Sequence, residues 1–437
     1  MKSLLFAIFF LTSTFLFGFN FRPSNWHEII EAEAKAKGGD TIRIAPNTYI
    51  QPHKLVFDGV YEKPLVIIAH GASFKGGAFP YTLDLFGNNI KWFGGNFSGG
   101  AQATVAIRGN DIHLSDADIS GSRTGVWLIG RRNTIEGCAI HDVSTTGIDG
   151  NNGKLDLEKR SIVRGFTYEN RNNWKILGNE FYNIHPRNPG EHGGGIKMVP
   201  GAFGVTIAGN IFHHIGGNAL WFDKYQGELI IYGNQFYDNA FKNIFLEISD
   251  ENPRKKPKFG AIIAGNIVRN GERHGIFISA SSNCDVFGNI VSSWLPGVIH
   301  GMPRKFNVDR EGELADTTKE AKLIGNRFHH NVIKNTYHSA HIAVYDGEGA
   351  SDNQVYRNYY TIGHKAERKD EWIMQAQLSI NSGSYLGGVD KAGLDEFDAE
   401  GIEGPWIETL PFSFAESGIQ ALLDKYPELD EYTIMVW

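Results

Sequence analysis

Long apolar runs are nearly absent from this chain of 437 residues. Beyond the stretch from Leu4 to Phe17, no segment approaches the ~20 apolar residues that a membrane-spanning helix needs, so no membrane partner is expected. Cysteine is scarce too: Cys138 and Cys284 are the whole complement, which excludes a disulfide-built scaffold. Histidine and cysteine nowhere fall at zinc-site spacing. The net charge of −7, with charged residues at 21%, gives no general attraction to nucleic acid. Helical periodicity is missing through the middle of the chain, and Gly-Gly-Gly at 193–195 lacks the strand–turn–helix setting of a nucleotide site. What remains is a glycine-rich chain, 52 glycines in all, of short β-rich runs and tight turns.

Those runs repeat. The segments ILGNEF, IAGNIF, IYGNQF, IAGNIV, VFGNIV, LIGNRF and VYRNYY carry Asn179, Asn210, Asn234, Asn266, Asn289, Asn326 and Asn358, spaced 31, 24, 32, 23, 37 and 32 residues apart. A period of this size marks a solenoid, and β-rich units that cannot bury a core alone predict one coil each of a parallel β-helix. Asparagine suits the bend between two strands, because it tolerates a left-handed backbone and its amide can bond to the amide of the next coil. The same frame puts Gly95, Ala117 and Cys138 in the asparagine slot, so the solenoid is expected from about residue 40 to 385. Five coils at ~4.8 Å each separate Cys138 from Cys284 by ~24 Å, beyond the ~7 Å reach of a disulfide, so both are expected as buried thiols.

The termini read as additions to this core. Lys2 and the apolar run behind it form a secretory signal pattern, with mature chain from about residue 20 and secretion or periplasmic export implied. Ser24-Asn25-Trp26-His27-Glu28 opens an amphipathic helix with Trp26, Ile29, Ile30 and Ala34 on one face, ending at Gly38-Gly39, which would cap the first coil. Residues 386–437 form a tail packed on the solenoid, including a helical pattern from Phe412 to Tyr426 with Phe414, Ile419, Leu422 and Leu423 apolar. The division is thus 1–19 signal, 20–385 β-helix with cap, and 386–437 tail, in a monomer.

A second strand recurs about nine residues after each slot: GVWLI from Gly125, GIDGN from Gly147, GIKMV from Gly195, ALWFD from Ala219, NIFLE from Asn243, GIFIS from Gly275 and GVIHG from Gly297. Alternation sends every other side chain outward. One outer row is then Trp127, Asp149, Lys197, Trp221, Phe245, Phe277 and Ile299; the other is Ile129, Asn151, Val199, Asp223, Glu247, Ser279 and Gly301. Aromatics beside carboxylates and a lysine on one outer face predict a carbohydrate groove, with insertions 150–172, 185–193, 249–259 and 302–320 walling it. Trp221 and Phe245 offer faces for sugar rings, with Trp127, Asp149 and His300 as further substrate contacts. Basic residues Arg254, Lys255, Lys256, Lys258, Arg304, Lys305 and Arg310 lie on two of those insertions and would receive a polyanion.

Asp223 and Glu247 occupy equivalent positions ~4.8 Å apart, which permits two chemistries. As acid and nucleophile they match a retaining glycosidase, whose carboxylates lie ~5–5.5 Å apart. As Ca²⁺ ligands they would neutralise a uronate while Lys197 removes the C5 proton in a β-elimination; without the metal, the flanking carboxylates would make Lys197 a poor base. A noncatalytic glycan-binding or adhesin β-helix is the reading from another class. The pairs His213-His214 and His329-His330, each just after an asparagine slot, fit turns better than metal ligands.

The opening GGDTIRIAPNTYI, followed by KPLVIIAHGASFKGG, resembles the start of secreted right-handed β-helix enzymes acting on polysaccharides, notably the chondroitinase B and alginate lyase group. The resemblance implies a single-stranded right-handed parallel β-helix and polysaccharide lyase activity. It further implies calcium-binding acids, a lysine and an Arg-His-Gly motif, matched in order here by Glu247, by Lys255 and Lys256, and by Arg273-His274-Gly275. Arg273 is carried over as a catalytic candidate, although it precedes its strand where the family's arginine closes one.

Overall fold

The computed structural model describes residues 18–50, 55–151, 154–156, 161–163, 172–186, 193–198, 202–223, 227–248, 260–271, 273–293, 299–303, 322–335, 342–345, 350–356, 358–362, 385–386 and 412–433. It is a right-handed parallel β-helix of about ten turns. From Thr124 on, most coils contribute three short strands, which build the first, second and third sheets in that order; in the coils before, the first two run on as one long strand, Leu55–Ile68, Tyr81–Phe93 and Ala103–Ser115. Each strand pairs with its counterpart one coil on. Alternate residues therefore stack in columns. Val126, Ile148, Ile196, Leu220, Ile244, Ile276 and Ile299 form one inward column. Ile135, Ile176, Ile207, Ile231 and Ile263 form a second. On the third strand Phe181, Phe212 and Phe236 stack at 4.6 and 4.9 Å, nearly parallel. Each such side chain, once buried, is worth ~1.5–3 kcal/mol, and the column keeps that gain the same from coil to coil.

The asparagines close the bend between the second and third strands. The Asn210 backbone N–H and its Nδ2 both donate to Asn234 Oδ1 at 2.9 Å, while Nδ2 also reaches Ile176 O at 2.8 Å. Every buried polar atom of the bend is thereby engaged, as burial demands. The ladder begins where Cys138 N–H donates to Asn179 Oδ1, in agreement with the slot assigned to Cys138. It then runs through Asn210, Asn234, Asn266 and Asn289 to Asn331 and Asn358.

Asn326 is not in this ladder, contrary to the sequence reading. It bonds instead to Asn353 and to Cys284 N–H, at an extra bend joined to the short pairing of Leu323–Ile324 with Ala350–Ser351. Among the described residues, the one before a bend asparagine of the ladder is left-handed, φ 65° at Gly209 and 61° at Gly233. At Gly233 a Cβ would also lie 2.1 Å from Tyr432 O. His330 fills the same role with φ 52°, and His214 is left-handed, φ 53°, inside the third-face strand Ile211–Ile215.

Helix α1 (Trp26–Lys35) is capped by Asn25, whose Oδ1 accepts from Glu28 N–H, and Ser24 bonds back to Glu28 Oε2. It buries Ile29 and Ala32; Ala34 is exposed, a correction that follows from the i, i+3 spacing of Trp26, Ile29 and Ala32. Helix α2 (Phe412–Lys425) and the 3-10 helix Pro427–Tyr432 lie across the outer face of the second sheet. There Leu422 and Leu429 pack with Leu177, Ala208, Ile230, Tyr232, Ala264 and Phe287. Tyr232 Oη and Thr433 Oγ1 are 2.7 Å apart. This segment runs backward along the coils, since Ile419 meets Gly288 and Tyr432 meets Gly178. Both cysteines are free and buried, and burial pushes the Cys138 thiol up to about 12. The signal pattern lies outside the described residues, and none of the described helices is long and apolar enough to cross a membrane.

Candidate functional site

Strand register fixes the outer rows of the first sheet. Trp127, Asp149, Lys197, Trp221, Phe245, Phe277 and His300 occupy one column. His300 stands where counting from Gly297 placed Ile299; Ile299 is fully buried, because the strand begins one residue later, and Met302 likewise replaces Gly301 opposite Ser279. In the neighbouring column Asp223, Glu247, Ser279 and Met302 are in register. Val199 and the insertions 249–259 and 304–320, with their basic residues, lie outside the described residues. Of 150–172, a two-stranded hairpin is described, Lys154–Asp156 against Ser161–Val163.

The aromatic row differs from the expected open platform. Trp221, Phe245 and Phe277 are 7%, 5% and 8% exposed, because each ring lies on the next at 5.8 and 5.2 Å. Flat side chains in register at coil spacing stack on one another. Lys197 closes one end of the stack, with Nζ 3.9 Å from the Trp221 ring centre. This contact favours its charged ammonium, as does Asp149 beside it. Burial raises the Asp149 carboxyl, while Lys197 and Arg123 pull it down. Trp127, by contrast, is partly exposed, tilted against Tyr81 at 5.7 Å.

Glu247 is nearly buried, 9% exposed, and its Oε2 accepts the Trp221 Nε1–H at 2.9 Å. One carboxylate oxygen is thus committed to holding the indole. Calcium takes six to eight oxygens; Asp223 and Glu247 supply two carboxylates, and among the described residues no group of three or more His, Cys, Asp or Glu is placed to hold a metal. One oxygen of Glu247 is already taken by the indole, so these two carboxylates alone fall short of a calcium shell.

A third column escaped the sequence reading. Asn218 is in register with Gly194, and the next members, Lys242 and His274, follow from Ala219 N–H bonding Lys242 O and Asn243 N–H bonding His274 O. Lys242 Nζ lies 4.1 Å from the Phe245 ring and 5.0 Å from Phe277. His274 stacks on Phe277 at 5.0 Å, and His300 meets both rings edge-on at 5.0 and 5.2 Å. Arg273 points elsewhere, its guanidinium over Phe241 at 4.6 Å. The signal for this column was the residue two places before the apolar pair, Lys242 before Ile244-Phe245 and His274 before Ile276-Phe277, which strict alternation assigns to the wrong side of the bend. Farther along the same face, Arg108 pairs with the buried Asp84.

Residues 103–300 match the family model of the right-handed β-helix region. Among solved structures, the periplasmic alginate epimerase AlgG is 15% identical with a TM-score of 0.51, covering 75% of this chain and 76% of that one. A point mutant of the PL6 family alginate lyase AlyGC is 13% identical with a TM-score of 0.50, covering 79% of this chain and 52% of that one; the match thus spans about half of that lyase. At such identities the likeness is one of fold. No curated protein matches the chain significantly.

Proposed function

We propose that the outer face of the first sheet binds and cleaves a uronate-containing polysaccharide by β-elimination, in an exported enzyme acting as a monomer. The observation that carries this reading is the register itself. Ammonium groups, carboxylates and imidazoles stand on consecutive coils of one outer face, with Lys197 and Lys242 held against aromatic rings. Elimination needs a cation to neutralise the uronate carboxyl, which acidifies the C5 proton, and a base to take that proton while the C4–O bond breaks. Lys197 suits holding a uronate carboxylate along the chain better than taking a proton, because its ammonium lies against the Trp221 face and in register with Asp149. Trp127, the partly exposed ring of the row, is assigned to sugar stacking, with Asp149 beside it as a hydroxyl acceptor. That the alginate lyase and epimerase above share the fold supports a glycan as ligand.

A second reading rests on Asp223 and Glu247, in register on adjacent coils: at ~4.8 Å they match the ~5–5.5 Å of a retaining glycosidase. The burial of Glu247 and its bond to Trp221 weigh against it. A panel of acidic and neutral glycans separates the two. Elimination gives a product absorbing in the ultraviolet through its new C4–C5 double bond, in step with reducing ends. Hydrolysis gives reducing ends alone, lost at least ~10²-fold in Asp223→Asn and Glu247→Gln. Added chelator should leave elimination unchanged, and its abolition by chelator would return the calcium reading.

A further inference from the structure

Resting on that reading, we infer that the reacting sugar sits over Phe277, with His274 as the base for its C5 proton and Lys242 as the cation on its carboxylate. The argument is one of reach. A uronate carries its carboxyl on C5 itself, so the neutralising cation and the base must serve one sugar ring. Lys197 is three coils from His274, ~14 Å at ~4.8 Å per coil, and cannot share a sugar with it. Lys242 and His274 occupy equivalent positions of adjacent coils, as the bonds from Ala219 N–H to Lys242 O and from Asn243 N–H to His274 O require.

Both groups converge on one ring. The Lys242 ammonium and the His274 imidazole each lie 5.0 Å from the centre of Phe277. Stacking at 17° between the two rings fixes the plane of the imidazole. His300 packs edge-on against both, 71° to His274, and is a positioning residue. In the step, the C5–H bond breaks and its proton passes to an imidazole nitrogen of His274. The C–H electron pair becomes the C4=C5 bond, the C4–O bond breaks, and the imidazolium returns its proton to the leaving oxygen. Lys197 then holds the carboxylate of a sugar farther along the chain, which lies parallel to the solenoid axis.

The test uses the full-length protein, a panel of acidic glycans and buffered D₂O. His274→Gln should lower kcat at least ~10²-fold with KM little changed, and Lys242→Met should raise KM and lower kcat while Lys242→Arg retains most activity. Urea unfolding of each variant checks that it is folded. His300→Ala should lower kcat, and His300→Phe, which keeps the ring contacts, should restore what His300→Ala loses. If the wild type releases unsaturated product and folded His274→Gln does so at full rate, the inference is wrong and the lyase reading stands. If no unsaturated product forms but deuterium enters C5 and this exchange is lost in His274→Gln, the lyase reading falls and the inference stands. Absence of both product and C5 exchange with every acidic glycan overturns the inference. For a variant that fails to fold, the wild-type pH profile decides: kcat/KM must fall on the acid side as a neutral imidazole base is protonated, and a profile flat through that range counts against His274.

Discussion

At Asn234, one carboxamide joins three coils. Its Oδ1 accepts from the Asn210 backbone and side chain, and its Nδ2 donates to Ile207 O, Tyr232 O and Asn266 Oδ1. Asn234→Leu leaves several of these groups buried and unpaired, at ~1–3 kcal/mol each, so chemical denaturation should report a loss of at least about 3 kcal/mol. A change below 1 kcal/mol would mean that water replaces the ladder. Asp149 provides a second residue-scale prediction. Its carboxyl is raised chiefly by burial, so the folded state binds its proton more tightly than the unfolded state does. That contribution is fully present below the unfolded value of ~3.9 and is lost as pH rises through the folded one. Stability of Asp149→Asn relative to wild type should therefore increase between about pH 3 and pH 7; a constant difference would refute the burial argument. Much at this scale was legible in the sequence: a Gly-Asn pair before an apolar residue announces a left-handed bend with a buried amide. Asn326 misled because Gly325 (φ 68°) gives it the same signature, whereas the true ladder member, Asn331, follows His330, a residue that reaches the left-handed region at a steric cost.

Strands and helices were read from the sequence with less uniform success, for a physical reason. Inward columns repeat every coil, so the frames around Val126, Ile148 and Leu220 were fixed by β-branched and apolar residues alone. The last site strand was counted from Gly297, one residue too early, which puts the inward Ile299 outside and shifts His300 off the outer face. Mutual stacking of Trp221, Phe245 and Phe277 was invisible in the sequence as well, because alternation tells which side a ring takes but not whether its neighbour covers it. Helix α2 supplies a prediction at this scale. Leu422 is 4% exposed against Tyr232, Ala264 and Phe287, and Leu422→Ala should cost ~2–5 kcal/mol of local stability. Limited proteolysis should then release the C-terminal segment while far-ultraviolet dichroism keeps its strand signal; equal resistance in both proteins would show that this contact holds little.

A β-helix has two open ends, and unpaired strand edges invite association. Helix α1 covers the first end through Ile29, which is fully buried, so Ile29→Asp should place a charge in that seam and expose the edge. Light scattering should find larger species growing with protein concentration in the variant, and a monomer at all concentrations would show the cap to be dispensable. The returning C-terminal segment has a consequence of another kind. Coils held to their neighbours by two or three bonds per strand peel one at a time when a load is applied at an end. A strap anchored from Gly288 back to Gly178 is pulled in shear instead, so a tug on the C-terminus is divided among all the coils beneath it. A load along the solenoid axis is then borne by the strapped coils together, as a single beam.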